Sequence, residues 1–255
     1  EIIHHLYISK KYISLERAAA LSLLYVPSDS FSALEREIQD NRKKGMEELQ
    51  GALDSIPAKD RLSIASTVED VRKSYADLQK FQKAFDTESR EPKSAGLSDL
   101  PDEYFEKTTG LIDKIDELIE TYSTPTFMFS PEINRQMRLT RLIWEISEYA
   151  GKEYAILGRL IAENRFPDRQ TRETLIALRS RIQYGLELTH GAVENSQWKR
   201  ELTPALEEAE THYSMIFEQI KEVFYEPAAG SVATLYPVTV QMWIQLASEA
   251  VSSIH

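Results

Sequence analysis

The first two dozen residues limit the fold more than any other feature. The positions Ile3, Leu6, Lys10, Ile13, Arg17, Ala20 and Leu24 alternate steps of three and four. That spacing places them on one stripe of an α-helix, the seam along which bundled helices pack. A strand pattern would alternate every second residue, and none is seen here. The same stepping returns along the chain, so helices are expected at about Glu1 to Val26, Ser30 to Ile56, Leu62 to Asp86, Asp102 to Tyr122, Pro131 to Arg165, Asp168 to Asn195, Leu202 to Tyr225 and Pro237 to His255. The 9 glycines and 10 prolines mostly mark the breaks, as at Pro27, Pro57, Pro167 and Pro227. Bundles are the economical way to pack such helices. The expectation is an all-α fold: an elongated helical bundle of two stacked, interleaved four-helix modules forming one domain over residues 1–255.

With 42% hydrophobic residues the chain can bury sizeable cores. A net charge of -11 without a large Lys/Arg cluster disfavours nucleic acid and anionic lipid as partners. The chain opens and closes in helical periodicity without capping signals, which suggests a segment cut from between two transmembrane helices. Membrane contact is then expected only through those flanking helices. No Gly-rich phosphate loop, catalytic motif or cysteine is present, so neither a cofactor nor catalysis is expected. Glu1-Ile2-Ile3-His4 and Glu187-Leu188-Thr189-His190 have the Glu-x-x-His form of bundle metal sites. However, Glu1 stands at the chain end and Glu187 lies off its seam, so no metal site is assigned.

Arg17 is the most informative single residue, because a guanidinium on a seam needs an anion, a carboxylate or an exit to solvent. Two readings stand: a ligand anchor, or a structural role, as an ion pair with a Glu of a neighbouring helix or by snorkelling to the rim. Lys10, one heptad earlier, is expected to snorkel to solvent. On the fifth helix Thr140, Ser147 and Tyr154 place three hydroxyls along the seam around Trp144. They are read either as the lining of a small polar pocket facing Arg17 or as ordinary core residues. Lys152, Arg138 and Arg141 flank that seam and are able to turn toward an anion. Gly151 and Gly158 are expected to admit a neighbouring helix closely.

Tyr12-Ile13-Ser14-Leu15-Glu16-Arg17-Ala18-Ala19-Ala20-Leu21-Ser22 resembles the start of bacterial nitrate- and nitrite-sensing (NIT-type) helical sensor domains. Glu148-Tyr149-Ala150-Gly151-Lys152-Glu153-Tyr154-Ala155-Ile156-Leu157 is similar to their Gly-Arg-Glu-Arg-Ala segment, with Lys152 and Tyr154 at the positions of its two arginines. The resemblance implies an extracytoplasmic, periplasmic sensor of an inner-membrane chemoreceptor, histidine kinase or diguanylate cyclase. It would be dimeric through its helices and bind a small molecule, nitrate or an organic acid; the seam positions Arg17, Trp144, Thr140, Ser147 and Tyr154, with Lys152 on the flank, are the residues expected to hold it. The alternative is a domain that reads a periplasmic binding protein, through Phe127-Met128-Phe129 or the loop around Leu235-Tyr236.

Overall fold

The computed structural model describes residues 1–24, 31–89, 99–127 and 131–225, together with 236, 238, 239, 242, 243, 245 and 246. The described residues form seven helices and no strand, an all-α fold. They are α1 (Ile2–Leu23), α2 (Phe31–Asp54), α3 (Ala65–Glu88), α4 (Leu100–Phe127), α5 (Pro131–Ala162), α6 (Arg169–Glu194) and α7 (Lys199–Tyr225). The chain divides into two units, Glu1–Pro131 and Glu132–His255.

In the first unit α1 packs against both α2 and α4, and α4 against α3. The seam read from sequence is the buried one: Leu6, Lys10, Ile13, Arg17, Ala20 and Leu24 are all buried. Close approach of α1 to α2 depends on Gly45, where a Cβ would stand 3.3 Å from Ile13 Cγ1. Ser9 Oγ donates to the Gly45 carbonyl at 3.1 Å in the space this leaves. Leu34, Ile38, Leu49, Ala52 and Ile56 of the α2 stretch are buried. So are Val71, Leu78 and Phe85 of α3, and Leu111, Ile112, Ile115 and Leu118 of α4.

The second unit is built on α5. Pro131 opens this helix, as its fixed φ favours. Its end is sharper than the sequence suggested: Asn164 takes a left-handed φ of 46° and Arg165 N–H donates back to the Leu160 carbonyl at 3.0 Å. Asparagine tolerates that conformation, and the pattern satisfies carbonyls that the last turn leaves open. Asp168 then caps α6 through Thr171 N–H at 2.7 Å. A Cβ on Gly185 of α6 would lie 2.7 Å from Ile146 Cγ1 of α5. Of the two glycines singled out in α5, Gly158 lies under the Trp243 indole, 3.2 Å from where its Cβ would be.

Several boundaries move. α4 continues through Pro125 to Phe127, where a break after Tyr122 was expected. A proline this near a helix end removes only one intrahelical donor. α7 begins at Lys199, its first turn closed by the Trp198 carbonyl, which accepts from Glu201 and Leu202 N–H at 3.1 and 2.9 Å, and it carries Pro204 inside it. Leu62, expected to open α3, is 90% exposed in the preceding turns. Most of the expected eighth helix, Met128-Phe129 and Leu235 lie outside the described residues. Tyr236, expected on an exposed recognition loop, is buried and donates to the Arg165 carbonyl at 2.6 Å. No described helix is long and apolar enough to cross a membrane.

Candidate functional site

Each unit holds charged side chains in its interior. In the first, Glu16 of α1 is 1% exposed and its Oε1 accepts three hydrogen bonds. These come from Arg42 Nε of α2 at 2.8 Å, Gln82 Nε2 of α3 at 2.7 Å and the Tyr104 hydroxyl of α4 at 2.5 Å. Three helices therefore converge on one carboxylate. Burial pushes the Glu16 carboxyl above its ordinary pKa, opposed by the Arg42 charge and by the donated hydrogen bonds. Arg42 also grips Asp86 with both terminal nitrogens, at 2.7 and 3.1 Å. Burial pulls the Arg42 pKa down, but the bonds to Asp86 and the charge of Glu16 outweigh it and raise the value. The guanidinium stays charged. Burial raises the Tyr104 phenol well above its ordinary value, so it remains a donor.

Arg17, the next residue on α1, is also 1% exposed. Its Nη1 donates to the Thr109 hydroxyl at 2.8 Å and its Nη2 to the Ser14 hydroxyl at 3.1 Å. Its guanidinium carbon lies 5.1 Å from the Phe105 ring centre. Lys10 does not snorkel: its side chain is fully buried and pairs with Asp116 of α4, while its Nζ lies 5.1 Å from the centre of the Tyr7 ring. The α1 seam meets α4 at this point, so its ammonium reaches a carboxylate sooner than it reaches water.

In the second unit Glu153 of α5 is 2% exposed. Its Oε1 accepts from Arg179 Nε and Nη2 of α6, both at 2.9 Å, and its Oε2 from the Tyr213 hydroxyl of α7 at 2.7 Å. Burial raises the Tyr213 phenol further above its ordinary value, so it too stays protonated. Tyr154 is buried among aromatic rings, edge-on to Trp243 with centres 5.5 Å apart and tilted against Tyr213 at 6.3 Å. Its carbonyl accepts from Trp243 Nε1 at 3.1 Å, while its own hydroxyl is buried with no hydrogen-bond partner among the described residues.

A family model described as nitrate and nitrite sensing matches residues 9–253. The chain belongs to that family. NIT domains are sensor domains and not catalytic ones. No curated protein and no solved structure matches the chain.

The candidate residues of this NIT domain fall in two places. Arg17 belongs to the first unit; Thr140, Trp144, Ser147, Lys152 and Tyr154 belong to the second. Trp144, Ser147 and Tyr154 lie on the buried face of α5. Thr140 does not: it is exposed and Leu139 takes the inward position, since a hydroxyl loses less by facing water than an isobutyl group does. Lys152 is half-buried and pairs with Glu148 at 3.3 Å. Arg141 is paired along the helix surface with Glu145 at 2.9 Å. His190 of the second Glu-x-x-His segment lies 2.7 Å from Glu210. Sequence reasoning passed over Glu16, Arg42, Tyr104, Glu153, Arg179 and Tyr213. The available signal was that both family-like segments contain a glutamate beside a candidate ligand residue.

Proposed function

We propose that this NIT domain is the ligand-sensing part of a bacterial transmembrane signalling receptor, on the extracytoplasmic side of the inner membrane. It detects nitrate or a similarly small anion at Arg17 and passes on a shift of α1. The observation that carries this reading is the fully buried Arg17 guanidinium, cradled by Ser14, Thr109 and the Phe105 ring, in a chain of the nitrate and nitrite sensing family. A planar oxyanion accepts from two guanidinium nitrogens at once, with stronger charge-assisted bonds. Exchanging hydroxyls for the anion moves the Arg17 head group and pulls on the helix that carries it. Sensing then requires only that the anion bind one arrangement of the bundle better than another, and no turnover is needed.

In the second unit the Tyr154 hydroxyl, with Trp144, Ser147 and Lys152 on the same helix, makes up the remaining candidate ligand group. It ranks behind Arg17 because its one cation, Lys152, is only half-buried, whereas the Arg17 guanidinium is buried.

A thermal-shift titration with nitrate tests the reading. Wild type is expected to gain several degrees, since a ligand at a hundred times its Kd stabilises by roughly 2.7 kcal/mol. Arg17→Ala should lose that gain while keeping its helical circular dichroism. An Arg17→Ala protein that still responds to nitrate overturns the assignment.

A further inference from the structure

The two units share a detail that neither composition nor helix count requires. Glu16 of α1 accepts from Arg42 of α2, 26 residues further on, and Glu153 of α5 accepts from Arg179 of α6, again 26 residues further on. Both carboxylates are buried and both take a further bond from a tyrosine of another helix, Tyr104 or Tyr213. Four positions before each glutamate stands a tyrosine covered by a cation from the same partner helix. Lys44 Nζ lies 5.3 Å from the Tyr12 ring centre, and Arg181 Cζ lies 5.2 Å from that of Tyr149. Tyr12, Glu16, Arg42 and Lys44 thus match Tyr149, Glu153, Arg179 and Arg181 one for one, at a constant offset along the chain. The surrounding segments agree too. Tyr12-Ile13-Ser14-Leu15-Glu16-Arg17-Ala18 and Tyr149-Ala150-Gly151-Lys152-Glu153-Tyr154-Ala155 share the tyrosine, a small third residue, the glutamate and the alanine. A slip of one residue turns a helix by about 100°, which would break the ion pair and the cation–π contact together. Two contacts of different chemistry kept in one register therefore mark a repeated design.

We infer that α1–α2 and α5–α6 are two copies of one helical hairpin, and that Glu16 and Glu153 are the positioning residues that set the rotation of α1 and α5, so that Arg17 and Tyr154 occupy equivalent interior places. A carboxylate held by donors from two or three other helices has one acceptable position. Once Glu16 is fixed, the direction of the residue after it is fixed too. Glu16 touches no ligand in this scheme; it acts through Arg17, and its bearing on sensing rests on the reading of Arg17 as the anion's anchor. The place equivalent to Arg17 in the second hairpin carries a phenol and no cation, so the repeat assigns anion capture to the first.

The test uses the intact chain labelled with nitrogen-15. The Arg17 Nε–H signal is identified by its loss in Arg17→Lys, and its hydrogen exchange is followed in Glu16→Gln and Glu153→Gln. Glu16→Gln is expected to speed exchange at Arg17 at least tenfold without changing it at Arg179. Glu153→Gln should leave Arg17 at its wild-type rate. Unchanged exchange at Arg17 in Glu16→Gln overturns the positioning role, as does equal acceleration at Arg17 in both variants, which would mean general loosening. Should Glu16→Gln fail to fold, Glu16→Asp keeps the charge, shortens the reach and carries the same expectation. Nitrate titration calorimetry runs alongside, with at least a tenfold rise in Kd expected for Glu16→Gln. A wild-type protein that gives no heat with nitrate overturns the anion reading of Arg17, while the exchange result still decides the positioning.

Discussion

Tyr104 and Tyr213 each donate their hydroxyl to a buried carboxylate, whereas the Tyr154 hydroxyl is buried without a partner among the described residues. The same substitution should therefore act in opposite directions. Tyr104→Phe and Tyr213→Phe remove a hydrogen bond to a charged group, a loss of about 1.5–3 kcal/mol each. Tyr154→Phe removes a buried polar atom that has nothing to lose, so stability in the absence of ligand should hold or rise by up to about 1 kcal/mol. Urea denaturation of the three variants separates these outcomes. Glu16 makes a pH prediction. Because burial raises its folded pKa, the native state holds this proton more firmly than the unfolded chain does. Between the ordinary carboxylate range and the raised value, its contribution to stability falls as pH rises. Wild type should thus gain stability relative to Glu16→Gln as the solution is taken from neutral to mildly acidic. Arg17 was legible in the sequence because a cation interrupted an otherwise regular seam. Glu16 and Glu153 were not, because a charged residue beside a seam ordinarily faces water, and only their partners on distant helices reveal that they do not.

Helices were the most readable level of the structure, and their glycines were the least. Gly185 sits in the interior of α6 and Gly51 in the last turn of α2, and within a helix alanine is intrinsically better by up to about 1 kcal/mol. A Cβ at Gly51 meets nothing within 4 Å, so Gly51→Ala should stabilise by roughly that amount. A Cβ at Gly185 would meet Ile146 Cγ1 at 2.7 Å, near the stem of a β-branched side chain that is 2% exposed. Gly185→Ala should cost about 1–3 kcal/mol in spite of its propensity gain, and a pair of chemical denaturation curves checks both. Periodicity reported the seams of α1 to α4 well because each buries one face. It overran at Thr140, where the first turns of α5 have little to pack against and Ile133 is itself 42% exposed. It also stopped α4 too early, since Pro125 looks like a terminator until the helix is seen to continue through it.

At the scale of the whole molecule, two units with separate cores need not lose their structure together. Trp144, Trp198 and Trp243 all belong to the second unit, and the first has no tryptophan. Denaturation followed by indole emission should therefore trace the second unit alone, while far-ultraviolet circular dichroism traces both. The expected outcome is two curves with different midpoints; superimposable curves would show that the units unfold as one. The seating of Trp243 over Gly158 and edge-on to Tyr154 then acquires an optical meaning. Its indole is a built-in lamp on α5, and Arg17 lies in the half of the protein that this lamp does not contain. A change in its colour that appears when nitrate is added and vanishes in Arg17→Ala would be a message received from elsewhere in the chain.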